Sequence, residues 1–89
     1  MLTIDVRYGP DGGATVALAG KCNGTSLGEV RRAIERARRM QKHVIIDLEE
    51  VTLVDRPALQ FLVAQERENI TLINCPEYIQ PWIYRESSQ

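Results

Sequence analysis

The chain has 89 residues, enough for one compact domain spanning 1–89 and too few for two. Its composition, 44% hydrophobic and 26% charged, is that of an ordinary soluble domain, and a formal net charge of −1 gives no global reason to bind nucleic acid or an anionic membrane. A domain of this size withdraws only about 60–65% of its unfolded-chain surface from water, so any site must be built on the elements that hold the fold together.

The opening "LTIDVRY" places Leu2, Ile4 and Val6 on one face and Thr3, Asp5 and Arg7 on the other, the period of a half-buried strand. Acid and arginine this early do not fit the apolar core of a signal peptide, and no apolar run approaches the roughly 20 residues of a membrane-spanning helix. A cytoplasmic protein without direct membrane insertion is expected. "GPDGG" suits a hairpin loop, and "ATVALAG" supplies the second, antiparallel strand.

After the loop "KCNGT", Ser26 and Glu29 have capping-box spacing, and Leu27, Val30, Ile34, Ala37 and Met40 recur at helical intervals. "HVIIDL" reads as a continuous β-branched run, the pattern of a strand covered on both faces in a parallel sheet under helices. "EEVTLVD" then leads to Pro57, placed where a helix can start because its missing N–H would be unpaired there. That helix turns Leu59, Leu62 and Val63 inward and runs to about Arg67. "NITLINC" reads as a fourth strand, and "PEYIQPWIYRE" as a terminal helical segment from Pro76, interrupted near Pro81. The order β-β-α-β-α-β-α predicts an α/β fold: an antiparallel N-terminal hairpin plus parallel strands in one mixed sheet, with helices packed on it.

Few residues point to chemistry. "AGKCNGTSLG" contains Gly, Lys and Ser but not the phosphate-loop spacing, and reads as a connection ending in a helix cap. No nucleophile elbow surrounds Ser26, Ser87 or Ser88, and His43 begins a strand. Asp47, Glu49 and Glu50 lack the oxygen-rich loop that a hard cation needs. Cys22 and Cys75 have no metal-binding spacing and are expected to be buried, unreactive thiols. No cofactor or metal is predicted. Arg31, Arg32, Arg36, Arg38 and Arg39, with Lys42 just beyond, make the strongest local charge feature. It reads as a solvated helix face before a protein-docking or nucleic-acid face, since aromatic stacking residues are absent from it.

At "VIIDLEEVTLVDRPALQFL" the chain resembles the STAS family, the domain shared by bacterial anti-sigma-factor antagonists and sulphate transporters. That family follows an apolar strand ending in Asp-Leu with an apolar-acid loop, a phosphorylatable Ser or Thr, small residues and a helix. Ile45, Ile46, Asp47 and Leu48 match the strand, Val51 and Val54 the loop, and Asp55 the acid. "LAGKCN" is similar to an earlier family loop, with Asn23 in place of the usual acid, and "ITLINCP" resembles the late strand. As the sequence ends soon after Trp82, the terminal strand and helix that many members carry are expected to be absent.

Arg56 stands where the family's switch hydroxyl would be, and Pro57 and Ala58 replace the small residues after it. A guanidinium takes no phosphoryl group in serine-kinase chemistry and carries the opposite charge to phosphoserine. Thr52 is more simply a turn or strand residue than a substitute acceptor. The resemblance implies a non-enzymatic regulatory domain that binds an anti-sigma factor or switch-type kinase through Asn23, Asp55, Arg56, Pro57 and Ala58, without phosphorylation at the family site. Physically, a helix N-terminus with unpaired N–H groups suits a partner's carboxylate, and Arg56 adds a five-donor cation. The alternatives are that Asp55 only caps the helix while Arg56 is solvated, that the domain is an accessory or scaffold subunit of a signalling or transport complex, or that a nucleotide or other anion binds near Arg56.

Overall fold

The structure, a computed structural model, describes residues 2–10, 12–40 and 43–81. Two strands open it, β1 (Leu2–Tyr8) and β2 (Gly13–Cys22), paired antiparallel from Leu2 opposite Gly20 to Tyr8 opposite Ala14. A single 3₁₀ turn (Gly24–Ser26) leads into helix α1 (Leu27–Met40). Strand β3 (His43–Val54), helix α2 (Arg56–Arg67) and a short strand β4 (Thr71–Ile73) follow. The sheet has the order β1-β2-β3-β4, and both β2-β3 and β3-β4 are parallel, so the predicted mixed sheet is observed.

One core lies between the sheet and the two helices. Ala14, Val16 and Leu18 of β2 and Val44, Ile46, Leu48 and Val51 of β3 meet Val30, Ile34 and Ala37 of α1 and Ala58, Phe61 and Leu62 of α2. Leu2, Ile4 and Val6 pack on its margin, as the alternation of "LTIDVRY" requires. Both helices therefore cover the same face. The cause is topological: β2, β3 and β4 lie side by side in chain order, so two crossovers of the usual right hand must place their helices on one side. Among the described residues no helix packs on the other face of β3, which differs from the expectation that it is covered on both faces. Ile45 and Asp47 point the other way and are half-exposed, as are Thr15, Ala17 and Ala19 beside them.

Other boundaries differ for local reasons. "EEVTL" and "KC", expected as loop, continue strands β3 and β2, which stay paired to Cys22 opposite Val54. The ladder absorbs register shifts between Ala17 and Ala19 and between Gly20 and Lys21. Gly20 sits at the second shift with φ 100°, which a side chain would strain. The fourth strand is shorter than "NITLINC" because Asn69 (φ 66°) and Asn74 (φ 55°) bracket it in the left-handed region. Asn69 also ends α2: its N–H reaches Glu66 O at 3.1 Å and that of Ile70 reaches Gln65 O at 3.1 Å, the paired bonds of a Schellman cap. Met40 is 65% exposed rather than on the inward stripe of α1. Pro76 opens a helical turn, accepting from Ile79 N at 3.1 Å and Gln80 N at 3.2 Å, and the rest of the expected terminal segment lies outside the described residues.

Candidate functional site

The carboxyl ends of β2 and β3 bring two loops together. Asp55, the residue between β3 and α2, has extended backbone and a half-buried side chain. Its Oδ1 accepts from Ala58 N at 3.0 Å, capping the helix, and its Oδ2 accepts from Gly24 N at 3.0 Å. One carboxylate thus joins the start of α2 to the loop after β2. Backbone bonds run alongside it, from Asp55 N to Cys22 O at 3.3 Å and from Leu59 N to Asp55 O at 2.9 Å. The proline ring lies against the same glycine: a methyl group placed on Gly24 would sit 3.6 Å from Pro57 Cβ, in ordinary contact.

Asn23 organises the other half. Its Oδ1 accepts from Thr25 N (3.1 Å), Thr25 Oγ1 (2.6 Å), Ser26 N (3.2 Å) and Ser26 Oγ (3.1 Å). The cap before α1 is therefore Asn23 acting on a 3₁₀ turn, and not the expected Ser26–Glu29 box, because the Ser26 hydroxyl is already turned back onto Asn23.

The two loops so joined contain all five expected partner-binding residues, but they present them unequally. Arg56 and Pro57 are exposed, Asn23 and Asp55 are half-buried, and Ala58 is fully buried with its side chain in the core. Ala58 acts through its N–H. Exposed Gly24 and Thr25 join the surface, and Leu53, 49% exposed, lies two residues before Asp55. The sequence did not mark these three; Leu53 is two residues from buried Val51, and only the register shift between Gly20 and Lys21 turns it outward.

Anion capture by the start of α2 is weakened. Arg56 occupies the first helical position rather than Pro57, Pro57 has no N–H to offer, and the N–H groups of Ala58 and Leu59 are taken by Asp55. The carboxylate that a helix N-terminus favours is already supplied by the chain.

Cys22, beneath the loop junction, is wholly buried. Burial, with a smaller contribution from the Asp55 carboxylate, pushes its thiol up to about 11, which suppresses the reactive thiolate. Cys75, half-buried, is also raised, by burial and then by Glu66. Asp47 of β3 serves structure, its Oδ1 accepting from Glu49 N at 3.0 Å and from Asn74 Nδ2 at 3.1 Å, while Glu49 and Glu50 are exposed. Among the described residues no group of three or more His, Cys, Asp or Glu is placed to hold a metal ion, and no helix is long and apolar enough to cross a membrane. On α1, the Arg31 guanidinium lies 5.4 Å from the Phe61 ring centroid and joins the helices, while Arg32, Glu35, Arg36 and Arg39 line a shallow groove of about 290 Å³. Lys42 lies outside the described residues.

No protein-family model matches the sequence, and no curated protein does. Solved structures do resemble it. The unphosphorylated form of the anti-sigma factor antagonist SpoIIAA superposes with a TM-score of 0.70 at 14% identity, over 89% of this chain and 79% of that one. An uncharacterized protein of the DUF3478 family from Shewanella loihica PV-4, itself described as SpoIIAA-like in fold, gives 0.59 at 16% identity, over 94% and 74%. With its hairpin, parallel crossovers and helices on one face, the chain has the SpoIIAA-like STAS fold.

Proposed function

We propose that this chain is a non-enzymatic regulatory domain that binds a protein partner through the joined Asn23–Ser26 and Asp55–Pro57 loops. The partner class is an anti-sigma factor or switch-type kinase, and the output is control of transcription in a bacterial cytoplasm. The observation that carries the reading is the Asp55 carboxylate, which fixes the two loops together and holds Arg56 and Pro57 outward at the helix start. A fixed surface loses little entropy on binding, and arginine is enriched among interface hot spots. Similarity in fold to an anti-sigma factor antagonist supports the partner class, and in the sequence resemblance Arg56 stands where that family carries its switch hydroxyl. With no hydroxyl there, binding is not reversed by phosphate at that position, and control falls to the abundance of the partners.

Affinity capture from the native cell with wild type and Arg56→Glu tests the reading. Reversing the charge should reduce capture of the principal partner on the order of tenfold or more. Equal capture by both proteins would sink it. Incubating Arg56→Ser with the captured kinase asks separately whether only the acceptor hydroxyl is missing.

A further inference from the structure

Strand β1 forms an edge of the sheet, and among the described residues nothing pairs with its outer side. Which of its backbone groups face outward follows from the hairpin. Gly9 N donates to Gly13 O at 2.8 Å, in phase with the β1-β2 register, so Thr3, Asp5 and Arg7 direct their N–H and C=O groups at β2. Ile4, Val6 and Tyr8 direct theirs away from the sheet. On the open face of the sheet β1 carries Asp5 and Arg7, whose side chains are 57% and 76% exposed and pair with each other at 2.9 Å. On the other face Tyr8 is 45% exposed.

Edge strands are commonly protected by charge of one sign, which repels a second copy. Here the two charges are opposite and two residues apart, so they cannot repel in every register. We propose that two copies of this chain pair through their β1 edges, antiparallel and centred on Val6, to make one continuous sheet. In that register Val6 faces its own copy and Ile4 faces Tyr8, and these pairs exchange the outward hydrogen bonds. Asp5 then faces Arg7 of the second copy, and Arg7 faces its Asp5. Both ion pairs fall at non-hydrogen-bonded positions, where side chains approach most closely.

The competing two-fold registers are poorer. Centring on Asp5 sets two carboxylates together, centring on Arg7 sets two guanidiniums together, and centring on Ile4 leaves Arg7 without an acid. Pro10, just past the strand, has no N–H and ends the ladder. The contact is smaller than the ~1,200 Å² of a stable complex, so association should be weak and concentration-dependent.

Sedimentation velocity from roughly 10 µM to 1 mM reads it, spanning the weak range expected of so small an interface. Wild type should shift from monomer toward dimer across that range. Arg7→Asp and Asp5→Arg should each weaken association on the order of tenfold or more, because both ion pairs become like-charged. An equimolar mixture of the two variants should associate, since each supplies the charge the other lacks, and so should the double exchange Asp5→Arg/Arg7→Asp. Rising concentration should protect the amides of Ile4, Val6 and Tyr8 and leave those of Asp5 and Arg7 unchanged. A wild type that remains monomeric, association indifferent to the reversals, or a mixture that stays dissociated would each overturn the proposal. Circular dichroism checks that both variants fold, as the mixture requires; if one does not, the other against wild type, together with the double exchange, still decides.

Discussion

Replacing Asp55 with alanine removes two hydrogen bonds of different kinds. The bond to Ala58 N caps α2, and losing a side-chain cap costs about 1 kcal/mol. The bond to Gly24 N ties together residues 31 apart in sequence, and its net worth is also about 1 kcal/mol. Asp55 is half-exposed, so no surplus for its charge is added. The total, about 2 kcal/mol, corresponds to a fall in Tm of roughly 8–16 °C for a domain of this length. Asp55→Asn keeps one acceptor oxygen and should lose about half as much. Urea and thermal unfolding measure the totals, and amide hydrogen exchange localises them. Gly24 and Ala58 should exchange faster in Asp55→Ala, while Thr25 and Ser26, held by Asn23, should not. An alanine variant within about 0.3 kcal/mol of wild type, well inside the range of ordinary surface substitutions, or one with unchanged Gly24 protection, would refute the clamp.

Stability should fall in alkali because of Cys22. Its folded pKa is raised from 9.0 to about 11, so the stability it contributes is fully present below pH 9 and is lost as the unfolded thiol ionises first, at up to about 1.4 kcal/mol per pH unit. The difference in pH slope between wild type and Cys22→Ala isolates the effect, and equal slopes would refute it. Leu62, fully buried between α2 and the sheet, should cost about 2–5 kcal/mol when cut to alanine, with the loss spread over the whole domain in hydrogen exchange. Asn23→Ala should cost about 1–2 kcal/mol, and Asn23→Asp should stay close to wild type because a carboxylate oxygen replaces the single acceptor in use; chemical denaturation of the pair distinguishes capping from mere side-chain size.

Features that depend on neighbours in sequence were legible. Alternation located β1, helical spacing of Val30, Ile34 and Ala37 located the inward face of α1, and Asp55 before Pro57 marked the start of α2. Features that depend on distant pairing were not. Nothing in "EEVTL" announces a strand, because the shifts opposite Ala17–Ala19 and Gly20–Lys21 break its period of two. That both described helices lie on one face follows from strand order, which single residues do not encode. At the site, the sequence picked out Asn23 and Asp55 through resemblance, yet the bond from Gly24 to Asp55 that unites their loops, and the burial of Ala58, required the folded chain.

Those register shifts also make residue count a determinant of the site. Over the span from Gly13 opposite His43 to Cys22 opposite Val54, β2 contributes 10 residues and β3 contributes 12. In an extended strand one added residue turns every later side chain to the opposite face, whereas two restore the original phase. The surplus is even, and Val54 therefore ends β3 in a phase that delivers Asp55 to Gly24. Deleting a single residue between Leu48 and Leu53 would misdirect the clamp without touching any of its chemical groups. The junction is specified by arithmetic along β3 as well as by the carboxylate at its end.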